Sequence, residues 1–546
     1  MNPRILVCSA LAALSLAAAA REKKIVSFAW EWEKTGPAML GELQPQIYAA
    51  GLDGVGVNFE FKQGGKTYSS GDGICTAPWD YEAMRPVAAE YRKVLGKPGL
   101  TDCFLTSFYV PKKRFGWNDD ASWARLRDNM RLAARFAKES GCVGLRIDHE
   151  DYPRQRQFDW LPGDPPMEEL EKIVRRRGYE VFSVVFEEFP DAKLFFFWFR
   201  TEHARHFNGA EDPLRSLRDA RKLWAFFANG IIASLPPGAR IYDGNECSYE
   251  YKSEHFEYLV QANAIRQMDG FAYPENQAKY RAQVFPSTSL FLEMYCRTNS
   301  ATQWYRPPFA GSRLGMFRRD LRQALDSVDE YIWTWSSQHP YARRTIGPTV
   351  DSWNRKIWSN KTFDELMPGF NRAIVAIKNP GRFMREVYPE MMAGANAPTN
   401  LVPKGFSPKS NWQETQTDRK PGTFTRDDEV FCTAAPSVRI EGVAKGCLLA
   451  SVADVKAGEI YAVRVRTKVE SGGVHANVKW QLGGKWRHFE PVSALTFGDP
   501  DERGWRTGAT AVVVPENVDQ LVLLFQVVQN PGERCWADDA EIVRVE

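Results

Sequence analysis

Between Lys24 and Thr345 the chain alternates short apolar runs with longer stretches of helical spacing, and it does so eight times. The candidate strands are Ile25–Trp30, Gly54–Phe59, Cys103–Tyr109, Val143–Asp148, Leu194–Arg200, Arg240–Gly244, Leu290–Tyr295 and Tyr331–Trp335. Helical spacing fills the intervals, as in Ala121–Ser140, Met167–Phe189, Leu214–Ile232 and Arg313–Ser327. A strand followed by a helix favours parallel pairing, because consecutive parallel strands need a crossover of a dozen or more residues. Eight such units in about 320 residues match the size of an α/β fold of the (β/α)8 TIM barrel type with loop insertions. A doubly wound open sheet is the alternative. It usually carries a glycine-rich phosphate loop after its first strand, and this chain has none there.

Strand parity supports the barrel. In the second candidate strand Val55, Val57 and Phe59 share one face, and Gly54, Gly56, Asn58 and Glu60 the other. In the fourth, Val143, Leu145 and Ile147 oppose Gly144, Arg146, Asp148 and Glu150. The branched face is expected to pack under the helices. The small-to-polar face points into the barrel and ends in carboxylates at the C-terminal rim, where active sites of this fold sit.

Beyond the eighth unit, Thr362–Met392 reads as a helical segment broken at Pro380-Gly381, closing a first domain at residues 21–394. From Ala393 the composition shifts to Ala, Pro, Asn, Gly and Ser, which sets a linker at 395–411. Residues 412–546 change pattern again, to the short alternating strands of an all-β sandwich: Ser437–Glu441, Gly446–Ser451, Ile460–Val469, Val474–Gln481, Ala509–Val514 and Gln520–Val527. Residues 1–20 read as a secretion signal, with Arg4, an apolar run from Ile5 to Ala17 and a small-residue cleavage site at Ala18-Ala19-Ala20, so the protein is expected to be secreted or periplasmic. No other stretch is long enough to span a bilayer.

The formal net charge of +3 on 546 residues and the single basic triplet Arg175-Arg176-Arg177 argue against a nucleic-acid partner. The 18 Trp are more informative, because the apolar faces of sugar rings stack on indole; burial in the core accounts for many of them. Eight cysteines follow the signal, with no C-x-x-C spacing, so zinc held by thiolates is not expected. A Cys432–Cys447 bridge and buried free thiols both remain open.

The sharpest local feature runs from Gly144 to Tyr152 as Gly-Leu-Arg-Ile-Asp-His-Glu-Asp-Tyr. Asp148 and Glu150 lie two apart on a strand and share a face. Two carboxyls that close cannot both ionise cheaply, so one keeps its proton near neutral pH, while Arg146 on the same face holds the other charged. A strand-end salt-bridge cluster without chemistry is the plain alternative. A metal site is disfavoured, because His149 and Asp151 point away from Asp148 and Glu150; no cofactor is expected either.

Other rim positions add to this. Glu246 follows the sixth strand on the parity of Tyr242 and Gly244, beside Asp243. Glu293 sits in an apolar run with Tyr295, and Arg200 is its candidate ion-pair partner. The eighth strand puts Tyr331, Trp333 and Trp335 on one parity, as a sugar platform or as packing against the outer helices. Trp30, Glu31, Glu60, Glu202 and His203 end strands and are candidates for contacting hydroxyls.

Glycoside cleavage needs this equipment: one carboxylic acid to protonate the leaving oxygen, and a second carboxylate to attack the sugar or activate water. No G-x-S-x-G, H-E-x-x-H or Walker loop competes. The barrel resembles the glycoside hydrolases built on β/α barrels, especially the large retaining clan with its acid on strand four and nucleophile on strand seven. That resemblance implies Glu150 as acid/base, Glu293 as nucleophile and Trp333 as the aromatic closing a sugar subsite. Parity favours Glu246 as the partner instead. That clan usually carries Asn-Glu on strand four, whereas His149 precedes Glu150 here. The segment from Gly144 to Glu150 also resembles the D-x-D-x-E strand of chitinases, with Arg146 in place of one Asp, and Tyr242-Asp243 echoes their sixth strand.

The C-terminal part is similar to the jelly-roll carbohydrate-binding modules appended to glycanases. The likeness lies in Asn400-Leu401-Val402-Pro403, Gly458-Glu459-Ile460-Tyr461, Gly504-Trp505 and Trp536-Ala537-Asp538-Asp539. The expected function is hydrolysis of a polysaccharide or oligosaccharide outside the cytoplasm. The alternative is a non-catalytic glycan-binding protein on a decayed barrel.

Overall fold

The computed structural model describes residues 22–33, 35–70, 73–107, 111, 113–151, 153, 155–200, 212–251, 257–302, 304–342, 361–395, 397–402 and 422–545. The expected signal at 1–20, most of the linker, Glu202 and His203 lie outside the described residues. The chain divides into two compact units, Met1–Arg306 with Gln323–Leu366, and Pro307–Arg322 with Met367–Glu546.

The first unit is a mixed α/β structure. Its strands are β1 (Lys24–Ser27), β2 (Gly54–Val57), β3 (Glu60–Gln63), β4 (Lys66–Ser69), β5 (Phe104–Ser107), β6 (Gly144–Ile147), β7 (Lys193–Phe196), β8 (Arg240–Asp243), β9 (Val284–Pro286), β10 (Ser289–Phe291) and β11 (Tyr331–Trp335). Nine of them form one curled sheet in the order β10-β11-β1-β2-β5-β6-β7-β8-β9, with every pairing parallel. The two ends of that order, β9 and β10, follow one another in the chain across Ser287-Thr288. Ser287 N donates to Asp243 O at 2.7 Å, and Trp333 N donates to Thr288 O at 2.9 Å.

The small inward residues have a packing reason. A Cβ on Gly56 would lie 2.9 Å from Phe28 Cδ1, and one on Gly144 would lie 1.8 Å from Lys193 O. At Gly56 the space is taken by the Phe28 ring, which belongs to one buried cluster with Val26, Phe104, Phe195, Phe197, Tyr242, Tyr331 and Trp333. The opposite end of the sheet, where the strands begin, is closed by charge pairs. Lys24 holds Asp102 at 2.7 Å, and Lys193 holds Glu330 at 2.8 Å. The hydroxyls of Tyr331 and Tyr242 donate to Asp102 and Glu330. These partners outweigh burial and hold both carboxyls below their ordinary range.

Three expected elements differ from the structure. The strand expected at Leu290–Tyr295 starts earlier, at Val284, is interrupted after Pro286, and ends at Phe291. Proline lacks the N–H a ladder needs, and Leu292 already has helical backbone angles, so Glu293–Cys296 is a helical turn. Leu214–Ile232 is two helices, Pro213–Asp219 and Trp224–Ser234, with Arg221 at φ 55° between them. Glu60 opens the hairpin β3–β4 instead of ending β2, and it faces solvent.

The second unit carries β12 (Thr423–Asp427), β13 (Ser437–Glu441), β14 (Gly446–Ala453), β15 (Ile460–Val469), β16 (Gly473–Leu482), β17 (Lys485–Trp486), β18 (Ser493–Ala494), β19 (Thr496–Phe497), β20 (Trp505–Val513), β21 (Gln520–Val528) and β22 (Arg534–Arg544). They form two antiparallel sheets, β12-β13-β22-β15-β20-β19 and β14-β21-β16-β17, the latter with β18 on β16. Alternate residues of both sheets, among them Ile440, Val463, Val478, Leu523, Phe525 and Ile542, fill one core. Helices Phe370–Lys378 and Tyr388–Ala393 belong to this unit, where Arg372, Ala376, Phe383 and Met391 line one small crevice together with Ile460 and Val545. All eight described cysteines are free thiols. Cys432 packs with Trp505 and Trp536, while Cys447 packs with Val522 and Leu524.

Candidate active site

The site begins where β6 ends. Strand alternation turns Arg146 and Asp148 inward. Arg146 is buried, its guanidinium 4.4 Å from the Phe197 ring and 5.7 Å from Phe28. It donates to Asp148 Oδ2 at 3.3 Å, a long contact for a buried pair. Asp148 is 5% exposed and its Oδ1 has no hydrogen-bond partner. Burial pushes this carboxyl well above its ordinary range, the charge of Glu150 adds to the push, and Arg146 opposes it.

Glu150 itself is exposed and has φ +25°, a region that non-glycine residues rarely occupy. His149, between the two carboxylates, turns the other way. It is buried, stacked on Trp224 with ring centroids 3.9 Å apart and planes 9° apart. Among the described residues no cluster of His, Cys, Asp or Glu is arranged to hold a metal.

Glu246 comes from the far side of β7. It starts a 3₁₀ turn, Glu246–Glu250, directly after Asn245 at φ 48°. Trp198 Nε1 donates to its Oε2, and Glu246 N donates to Phe197 O at 3.3 Å. The residue is half-buried. Burial raises its carboxyl from 4.5 to about 7, against the Trp198 hydrogen bond, and the charge of Glu150 adds to the rise. Glu150 therefore acts electrostatically on both Asp148 and Glu246, which places the three carboxyls in one field.

Sequence reasoning missed Tyr249, three residues beyond Glu246. A 3₁₀ turn repeats every three residues, so Glu246 and Tyr249 share a side of it. Tyr249 is 7% exposed, its hydroxyl has no hydrogen-bond partner, and its ring lies against Phe291, Trp304 and Trp333. Burial and then the charges of Glu246, Asp148 and Glu293 hold its phenol protonated. Trp198 and Trp304 were also missed. Both are half-buried, as are Trp30 and Trp335, whose rings meet edge to face at 5.7 Å.

Glu293 has a different setting. It is 1% exposed, and its Oε1 accepts from Ser336 Oγ at 3.1 Å, Ser337 N at 2.7 Å, Gln338 N at 2.7 Å and His339 N at 3.4 Å. Burial raises its carboxyl, and the loop amides pull against the rise. Glu31 does similar service two residues further on, accepting from Tyr341 N at 2.9 Å.

Several candidates are occupied elsewhere. Asp243 is fully buried and accepts from the backbone N–H groups of Phe199, Arg200 and Asn245, so it pins the ends of β7 and β8 together. Arg200 does not pair with Glu293: its guanidinium is fully buried near Phe199, Phe271 and Tyr280, and burial lowers it to about 10. Tyr242 is bonded to Glu330 at the strand-start end, away from the rim. Trp333 is neither a platform nor helix packing. It is fully buried inside the sheet, stacked on Phe197 at 4.0 Å, with Nε1 donating to Gly244 O at 2.7 Å. Tyr295 is buried in its helical turn, and Glu60 faces solvent on the hairpin.

No family model and no curated protein matches the chain. Solved structures resemble parts of it. The enzymatically active domain of a bacteriophage CBA120 tailspike protein matches at 15% identity over 25% of this chain and 20% of its own, with a TM-score of 0.22. The carbohydrate-binding and catalytic modules of a Clostridium thermocellum endo-1,4-β-D-xylanase, complexed with xylohexaose, match at 13% identity over 23% of this chain and 25% of theirs, with a TM-score of 0.19. A xylan-binding domain from Paenibacillus barcinonensis matches at 15% identity over 28% of this chain and 99% of its own, with a TM-score of 0.21. The chain thus spans a quarter or less of the first two.

Proposed function

We propose that the chain is an exported glycoside hydrolase whose first unit is a closed (β/α)8 barrel and whose second is a jelly-roll module. Closure is supported by the single segment 284–291, which pairs with β8 through β9 and with β11 through β10. The observation that carries the reaction is the contrast between two carboxyls in one field. Glu150 is exposed, and its charge raises its neighbours; Glu246 is half-buried beneath Trp198 and holds its proton to about pH 7. A carboxyl that keeps its proton to about pH 7 suits the donor's part, with the exposed Glu150 beside it as partner.

Glu246 is therefore assigned the proton donor and Glu150 the charged group, the reverse of the order suggested by the strand-four resemblance. As the bond from the anomeric carbon to the leaving oxygen breaks, Glu246 transfers its proton to that oxygen. Glu150 meets the developing positive charge at carbon, as the attacking group or as the base toward water. The half-buried Trp30, Trp304 and Trp335 supply faces for sugar rings. Glu293 is assigned to holding the loop that follows β11.

The test is reducing-end release by wild type, Glu150→Gln and Glu246→Gln on a panel of polysaccharides and aryl glycosides. Hydrolysis lost in both variants supports the assignment. Binding without hydrolysis by the wild type on every glycan would favour a decayed barrel that only binds.

A further inference from the structure

The backbone of Glu150 is strained, and the residues on either side are locked. On the N-terminal side, His149 is 3% exposed and lies flat on Trp224, 3.9 Å between centroids, with Phe158 edge-on at 6.0 Å. Trp224 is itself fixed: it is fully buried, Nε1 donates to Phe199 O at 2.7 Å, and Phe158 meets it at 4.9 Å. On the C-terminal side, both oxygens of Asp151 are engaged, Oδ1 by Gln157 N at 2.7 Å and Oδ2 by Phe158 N at 2.8 Å. Phe158 O in turn accepts from Leu223 N at 2.7 Å. The two sides thus close on each other through Phe158 and the start of helix Trp224–Ser234. Glu150 lies exposed between His149 and Asp151 with φ +25°, and Arg156, further along the same loop, is exposed with φ +51°. A non-glycine residue keeps such a conformation only where its surroundings over-determine it, and such residues cluster at functional sites.

We propose that the His149–Trp224 stack and the Asp151 anchor form a bracket that positions the Glu150 carboxylate. This rests on the function proposed above. His149 and Asp151 act as positioning residues: neither carries the proton or the charge of the reaction, and their work is to fix the direction in which Glu150 points. The contact with Trp224 is made by the flat face of the ring, so His149→Phe keeps the stack while removing the ring nitrogens.

Two measurements separate the bracket from the reaction. The first needs no substrate. Glycine tolerates positive φ and alanine does not, so Glu150→Gly should melt higher than Glu150→Ala, against the usual entropic cost of glycine. In a His149→Ala background that advantage should disappear, and in His149→Phe it should persist. Glu150→Gly melting below Glu150→Ala, or an advantage unchanged in His149→Ala, overturns the bracket.

The second measurement is kinetic. Misplacement of a reacting group by about 1 Å can cost on the order of 10²-fold. His149→Ala should therefore lose kcat on that order at nearly constant KM, with its fold intact at the assay temperature, and His149→Phe should restore most of it. Wild-type kcat in His149→Ala, when Glu150→Gln is inactive, overturns the bracket and leaves the hydrolase reading standing. An active Glu150→Gln sinks that reading instead, while the melting comparison still decides the bracket.

Discussion

Glu246 has the most measurable chemistry of any single residue. Glu246→Gln keeps the Trp198 contact in shape but removes the transferable proton, so turnover of natural glycans should fall by about 10²–10⁴. An activated aryl glycoside, whose leaving group needs little protonation, should suffer less. The same residue gives a pH signature. Its folded carboxyl titrates at about 7 against an ordinary 4.5, so between those values the unfolded chain has released a proton that the folded chain still holds. Stability contributed by this group is full below the ordinary value and declines as pH rises to about 7. Glu246→Gln should therefore melt higher than wild type at pH 8 and show no such gain at pH 4. An equal offset at both pH values would refute the raised pKa. At Glu293 the expected effect is on stability. Glu293→Ala leaves the partly buried amides of residues 337 and 338 without their acceptor, at about 1 kcal/mol, the lower end of the range for an unmade bond. A melting temperature matching wild type would remove the loop-anchor assignment.

Elements show which physical effects pattern reading captures. Strands β1, β2, β5, β6, β7, β8 and β11 were visible as apolar runs with alternating parity, and helix Arg313–Ser327 was read to the residue. The inward turn of Arg146 and Asp148 followed from the period of two, whereas Glu150 lies beyond the end of β6 and is exposed, with φ +25°. The seventh strand was misplaced because Pro286 breaks its ladder in the middle, leaving two three-residue pieces too short to carry a pattern. Trp198, Tyr249 and Trp304 were missed because nothing local marks a side chain brought in by a turn or loop. Tyr242 and Trp333 have inward parity, but height along the strand decides which inward residues reach the rim. Helices Met167–Glu188 and Trp224–Ser234 touch through glycines: a Cβ on Gly178 would lie 2.1 Å from Phe227 O. Helix propensity alone would make Gly178→Ala stabilising by about 1 kcal/mol. Backbone overlap should reverse the sign, costing about 1–3 kcal/mol, and urea titration reads which effect wins. At the strand-start end, Glu330→Ala removes the acceptor of Arg240 and Tyr242 and leaves Lys193 with Asp102 at 3.7 Å and the Tyr331 hydroxyl at 2.6 Å. Breaking a buried pair costs about 3–5 kcal/mol, here toward the lower figure because both cations are partly exposed.

For the whole molecule, a binding module would hold substrate near the first unit and help only on polymers. The linker composition at 395–411 suggests cutting there, but helices Phe370–Lys378 and Tyr388–Ala393 pack with the sandwich in one unit. A chain ending at Ala395 would uncover Ala376, Phe383 and Met391, so we expect it to aggregate; a soluble, fully active product would show that these helices do not need the sandwich to cover them. Trp480, Trp505 and Trp536 are buried in that unit, and Trp486 is half-exposed and is the indole to test for sugar contact. The central claim remains that the carboxylates at the rim of the curled sheet cleave glycosidic bonds. Reducing-end release from a polysaccharide panel, by wild type beside Glu246→Gln, tests it most directly. The account predicts release from at least one glycan by the wild type and a loss of about 10²-fold or more in the variant. Equal release by the two proteins would contradict it.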